Sequence, residues 1–302
     1  ENHHPGIDNS GPFLAMNPFS SRCCQHNHAQ GWPYYSEHLI LATPDNGAAI
    51  ALYAACKATL KVADGQEITL HEQTNYPFEE KISFTVNTTE DVRFPFYLRI
   101  PSWCDQPELA INGKQKEIDP IPGKYIYIDR TWTDGDKVEL NLPMKLSIHT
   151  WQVNKNSVSV NYGPLTLSLK INEEYIQKDS RSTAIYDSRW QEGADATQWP
   201  SYEIFPKSPW NYALVLDSKV PLKNFKVIRK EWPSDNFPFT VSNVPLEVKA
   251  IGKQIPSWTL DKYGLCSELP ETNAPKGDRE EITLIPMGAA RLRVSAFPNT
   301  YE

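Results

Sequence analysis

Nowhere do the 302 residues contain the run of roughly 20 apolar side chains that a helix needs to cross a bilayer, so no membrane span is expected. Positive charge is also in deficit. Lys and Arg number 30 against 37 Asp and Glu, a net charge of -7, and no Lys/Arg cluster interrupts that balance. A nucleic-acid partner is therefore not expected, because such a surface has too little to set against a row of phosphates. Glycine is scarce, at 14 beside 25 prolines, which points to edges, corners and long loops more than to packed helices. Cysteine is both scarce and odd in number, with five residues, so a complete disulfide framework is not expected. Cys56, Cys104 and Cys266 are scattered and read as buried or half-buried free thiols. The opening Glu1-Asn2-His3-His4-Pro5 has neither a methionine nor the apolar core of a signal peptide, and reads as the start of a fragment of a longer protein.

Hydrophobic residues at 40% and aromatics at 11% suffice for real cores in a chain long enough for two domains. Residues 1–31 are polar and irregular. A helix is expected from Pro33, with Tyr34, His38 and Leu41 at helical spacing, ending at the turn Thr43-Pro44-Asp45-Asn46-Gly47. The period then changes to two, and short strands are expected at 50–54, 59–62, 67–72, 81–86, 96–100, 109–111, 125–128 and 138–142. Asn112-Gly113 supplies a hairpin turn. A second set is expected at 157–160, 165–169, 212–216, 246–250 and 281–285, with 291–295 as the last strand. The stretch 172–212 has few strand signals and is expected to wrap the surface. This pattern predicts a mostly β fold of two antiparallel β-sandwiches, with the boundary between them near residues 148–156.

The densest chemistry lies in Arg22-Cys23-Cys24-Gln25-His26-Asn27-His28, which gathers two thiols, two imidazoles and a cation. A loop just before a helix is expected there, where backbone N–H groups and the helix dipole favour a thiolate. Thiolate and neutral imidazole are zinc donors, but adjacent cysteines lack zinc-finger spacing and fill only half of a four-coordinate shell. Packed free thiols, a strained vicinal disulfide, and metal or redox chemistry completed from elsewhere all stay open on spacing alone.

An ordered series of motifs goes further. Ser21-Arg22-Cys23-Cys24-Gln25-His26-Asn27 and Ala42-Thr43-Pro44-Asp45-Asn46-Gly47 are followed by Thr74-Asn75-Tyr76-Pro77-Phe78 and Leu98-Arg99-Ile100-Pro101-Ser102-Trp103. Ile111-Asn112-Gly113, Trp132-Thr133-Asp134-Gly135-Asp136 and Leu142-Pro143-Met144 come next, then Val160-Asn161-Tyr162-Gly163-Pro164-Leu165, Pro286-Met287-Gly288 and Arg291-Leu292-Arg293. Over most of its length the chain thereby resembles the β-L-arabinofuranosidase type of glycoside hydrolase. The resemblance implies a six-hairpin α/α-barrel followed by two β-sandwiches. Residues 1–46 would be the last loop and helix of the barrel, 47–150 the first sandwich and 151–302 the second. It also implies a zinc ion held by Cys23, Cys24 and an upstream glutamate and cysteine. Cys23 would be the catalytic nucleophile as well as a metal ligand, and the acid/base would be an upstream glutamate.

This chain alone is then expected to be inactive, its partners being a carbohydrate substrate and its own upstream barrel, with a homodimer left open. Export to the periplasm or beyond is favoured over the cytoplasm. The competing reading is a non-catalytic β-sandwich module that binds carbohydrate or braces a partner domain. Many members of the family place two prolines after the cysteine pair, where this chain has Gln25 and His26, so His26 or His28 joining the metal is a variant to consider. Glu37, the nearest downstream carboxylate, is expected on the helix surface. Trp103, Trp132 and Trp151 are expected in core or corner positions, and Trp190, Trp199 and Trp210 in an irregular stretch suited to a functional surface.

Overall fold

The computed structural model describes residues 23–179, 181, 192–193, 195–198, 200–260 and 266–302. The chain starts there as a 15-residue helix, α1 (Cys23–Glu37). The helix thus begins ten residues before the expected start, and Pro33 lies inside it. It also ends earlier than expected, at Glu37: Tyr35 and Ser36 carbonyls accept from the His38 and Leu39 amides, and His38 Nδ1 donates to the Tyr34 carbonyl at 2.6 Å. Leu41, read as helical, belongs instead to a strand. Among the described residues no helix is long and apolar enough to cross a membrane.

Contacts divide the described chain into two units, the first of residues 29–145 with 162–165. Its strands are β1 (Ile40–Ala42), β2 (Ala48–Ile50), β3 (Cys56–Val62), β4 (Gln66–Thr74), β5 (Lys81–Thr88), β6 (Val92–Arg99), β7 (Glu108–Ile111), β8 (Lys114–Lys116), β9 (Tyr125–Trp132) and β10 (Asp136–Asn141). They form a four-stranded sheet, β1-β2-β6-β9, and a six-stranded sheet, β3-β4-β5-β10-β7-β8. All pairs are antiparallel except β2–β6, which runs parallel with Ala49 opposite Tyr97.

Alternation decides what goes inside. Ile82, Phe84 and Val86 of β5 are buried while Lys81 is exposed, and Phe94, Phe96 and Leu98 of β6 follow the same rule. Phe84 from the larger sheet meets Phe96 from the smaller edge-on, ring centroids 5.6 Å apart. Trp132 closes that core, fully buried, with its indole N–H donated to the Phe94 carbonyl at 3.0 Å. Trp132 thus holds the core position expected of it, and half-buried Trp103 packs against the same core.

The second unit comprises, among the described residues, 23–28 with 146–161 and 166–302. Its strands are β11 (Leu146–Trp151), β12 (Ser157–Tyr162), β13 (Leu165–Leu169), β14 (Glu173–Lys178), β15 (Ser201–Pro206), β16 (Tyr212–Leu216), β17 (Lys226–Arg229), β18 (Leu246–Gln254), β19 (Arg279–Pro286) and β20 (Asn299–Tyr301). Eight of them join in the order β11-β12-β13-β19-β18-β16-β20, with β17 paired to β18, and β14 and β15 form a separate ribbon. β16 reads as an unbroken apolar run because every residue in it is buried: Leu214 and Leu216 face the main core, and Ala213 faces Ile255 and Trp258.

Two expectations are corrected here. The stretch 172–212 contains β14 and β15 rather than loop alone. Arg291–Ser295 is not a strand: irregular contacts hold it, with Leu169 N donating to Val294 O and Val294 N donating to Ser168 Oγ. The last strand is β20, parallel to β16. The mostly β fold read from the alternation stands.

Candidate functional site

A helix leaves its first backbone N–H groups without partners and concentrates positive potential at its start. Cys23 and Cys24 are the first two residues of α1, and no acidic residue occupies its first turn. The pair therefore sits on the helix itself rather than in the loop before it. The first turn of a helix is in general a place where N–H groups and the dipole favour a thiolate. Helical spacing also sets His26 one turn from Cys23 and His28 one turn from Cys24. The side chains of Cys23, Cys24, His26 and His28 lie outside the described residues, as do Trp190 and Trp199. Among the described residues, no group of three or more His, Cys, Asp and Glu is arranged to hold a metal.

At the other end of α1 the chemistry is of the opposite kind. Glu72, in β4, is only 1% exposed; its Oε1 accepts from the Ala54 N–H at 3.1 Å and its Oε2 accepts from the Cys56 thiol at 3.8 Å. Burial pushes the Glu72 carboxyl up to about 8, against the hydrogen bonds from Ala54 and Cys56. Burial, and then the Glu72 carboxylate, push the Cys56 thiol up to about 11. The Tyr35 hydroxyl from α1 is raised by burial and by the same carboxylate. Cys56 is thereby kept as a thiol, a poor nucleophile. Cys104 is fully buried and raised by burial as well. Both fit the expected packed thiols, whereas Cys266 is exposed and does not.

The inward phase of β4 could have revealed Glu72 in the sequence, since it follows Ile68 and Leu70 at a spacing of two. Glu37 is the exposed last residue of α1, with its carboxylate 3.6 Å from His38 Nδ1. Trp151 is 44% exposed and donates to Ser159 Oγ at 2.8 Å, a rim position rather than a core one. Trp210 is half-buried and packs on Trp258, ring centroids 5.0 Å apart, which makes it part of a small core rather than an open surface.

Comparison with known proteins shows what the chain is similar to. Residues 47–144 match the family model described as the β-L-arabinofuranosidase, GH127 middle domain. No curated protein matches the chain. Among solved structures, a GH127 β-L-arabinofuranosidase from Geobacillus stearothermophilus T6 is 20% identical with a TM-score of 0.60, the match covering 92% of this chain and 37% of that one. A structure described as a glycoside hydrolase is also 20% identical, with a TM-score of 0.62, the match covering 97% of this chain and 43% of that one. A GH127 β-arabinofuranosidase is again 20% identical, with a TM-score of 0.59 and coverage of 95% and 41%. At that identity the likeness to solved structures is one of fold. The chain spans about two fifths of the length of these structures. The resemblance carried by the sequence motifs is borne out by the family match and by the shared fold.

Proposed function

We propose that the chain is the C-terminal part of a retaining glycoside hydrolase that releases arabinofuranose or a similar sugar from glycans. Cys23 is its nucleophile, and Cys23 and Cys24 are two ligands of a zinc ion. One conjunction supports this reading: a β-L-arabinofuranosidase middle domain over 47–144 is preceded by adjacent thiols on the first turn of a helix.

The donor chemistry fits the metal. Thiolates and imidazoles are what zinc takes, and two adjacent thiolates are half of a four-coordinate shell that upstream residues would complete. When bound, zinc keeps its cysteine ligands deprotonated at neutral pH. The first turn of α1 would act in the same direction on the Cys23 sulfur, through the helix dipole.

The reaction then follows from the residue types. The Cys23 thiolate attacks the anomeric carbon, and the bond from that carbon to the departing oxygen breaks. An upstream carboxylic acid gives its proton to the leaving oxygen. Water, deprotonated by the same carboxylate, then displaces the Cys23 sulfur, and two inversions leave the configuration retained. The substrate is a carbohydrate, the first partner is the protein's own upstream barrel, and a homodimer is compatible with this reading.

The test uses the full-length protein and this chain side by side. Full-length protein is expected to carry one tightly bound zinc per chain, and Cys23→Ser is expected to lower hydrolysis of an aryl β-L-arabinofuranoside by about 10³-fold or more. The 302-residue chain is expected to release no aglycone. Metal-free full-length protein, unchanged hydrolysis in Cys23→Ser, or turnover by this chain alone would overturn the reading.

A further inference from the structure

The exposed face of the four-stranded sheet carries one row of side chains in register. Leu41 lies opposite Ala49, Ala49 opposite Tyr97, and Tyr97 opposite Tyr127. Side chains paired in this way stand on the same face, so the smallest of them leaves a depression between larger neighbours. That residue is Ala49. It forms the floor of a groove of about 490 Å³ whose walls are Thr43, Pro44 and Asp45 on one side and Tyr97 and Tyr125 on the other.

The polar wall is held in place. Asn46 adopts a left-handed φ of 58°, and Gly47 lies so close to β6 that an added Cβ would collide with the Pro95 carbonyl oxygen. Thr43 Oγ1 accepts from Gly47 N at 2.9 Å and donates to Asp45 Oδ1. Tyr97 donates its hydroxyl to Asp45 Oδ2 at 2.6 Å. Those donors, Thr43 first and Tyr97 second, hold the Asp45 carboxyl below its usual range. The Tyr97 ring is braced by Tyr127, centroids 5.1 Å apart, and Tyr125 is 44% exposed.

Each Asp45 oxygen accepts from one of these side chains, and a carboxylate oxygen can accept more than one donor. The groove has an apolar floor, two tyrosine rings, one pre-oriented acceptor and no Lys or Arg among its lining residues. Anions gain nothing there. A purely apolar ligand would take water from the carboxylate and offer it no donor in return. A neutral polyol ring satisfies both requirements, with hydroxyls donated to the carboxylate and C–H faces laid on the aromatic rings.

We propose that this groove is a saccharide-binding subsite, in which Ala49 is the floor, Tyr97 and Tyr125 supply ring contacts and Asp45 accepts sugar hydroxyls. The preference for a neutral sugar follows from the groove. The choice of an arabinofuranosyl unit rests on the proposed function above.

Saturation-transfer NMR and calorimetric titration of the 302-residue chain with methyl β-L-arabinofuranoside and an arabino-oligosaccharide test it. Millimolar binding is expected, weakened about tenfold in Asp45→Asn and abolished in Ala49→Trp. Tyr97→Phe keeps the ring and is expected to weaken binding by only a few fold, so a folding failure in Ala49→Trp does not remove the test. Sugar binding that survives both Asp45→Asn and Ala49→Trp overturns the subsite, as does binding of tetramethylammonium with no binding of either sugar. A zinc-free, inactive full-length protein whose sugar binding still depends on Asp45 would overturn the proposed function and support the subsite.

Discussion

Glu72 occupies an inward position of β4 where Ile68 and Leu70 precede it, and the core around it disfavours its ionised form. Its folded pKa, about 8, lies above the 4.5 of an unhindered glutamate. The folded chain therefore binds a proton more tightly than the unfolded chain. That contribution to stability is fully present below pH 4.5 and is lost as pH rises through about 8. Its size is on the order of a few kcal/mol. Glu72→Gln retains an oxygen to accept from Ala54 N and carries no titratable proton. Melting temperatures measured from pH 5 to pH 9 are expected to fall for the native chain and to be flatter for the variant. Equal slopes would mean that Glu72 does not titrate in this window. The alternation in the sequence placed Glu72 on the inner face, but its partners Ala54 and Cys56 come from the neighbouring chain segment and emerge only once β3 pairs with β4.

Elements show where local signals suffice. Asn112-Gly113 reads as a hairpin turn, and both residues adopt positive φ, 51° and 74°, between β7 and β8. The Asn112 side chain then reaches beyond its own hairpin, donating to Asp136 Oδ1 at 2.6 Å and accepting from Lys137 N at 2.8 Å. Asn112→Ala loses both bonds and puts a Cβ-bearing residue without a polar side chain at positive φ. Urea denaturation is expected to show a loss of about 2–3 kcal/mol. A loss below about 0.5 kcal/mol would show that the turn holds without the bridge. Helix α1 shows the converse. Pro33 is a residue type that starts helices, yet the helix is already ten residues long when it reaches Pro33. The start moved to Cys23, which puts the thiol pair on the positive end of the element rather than ahead of it.

At the scale of the molecule, two large hydrophobic cores among the described residues have no residue in common, one around Phe84, Phe96 and Trp132 and one around Val160, Leu214 and Leu284. Phe96→Ala leaves a cavity in the first, expected to cost about 3–5 kcal/mol. Hydrogen exchange read peptide by peptide is expected to accelerate across residues 56–141 more than across 157–286. Uniform acceleration over both would show that the two cores unfold as one. The proposed hydrolase adds a requirement at this scale, because the acid/base and the remaining metal ligands are assigned to residues outside this chain.

Alternation, turn residues and the order of motifs determined the mostly β fold, the positions of most strands and the resemblance to β-L-arabinofuranosidases. They did so because apolar period and turn chemistry are properties of neighbours along the chain. Long-range pairing decided the rest. Parallel pairing of β2 with β6 set Ala49 beside Tyr97 and opened a groove, and β20 rather than residues 291–295 became the last strand. The β3–β4 pairing set Cys56 opposite Glu72, whose charge adds to burial in pushing that thiol up to about 11. These juxtapositions join residues far apart in the chain, and only the tertiary structure brings them into contact.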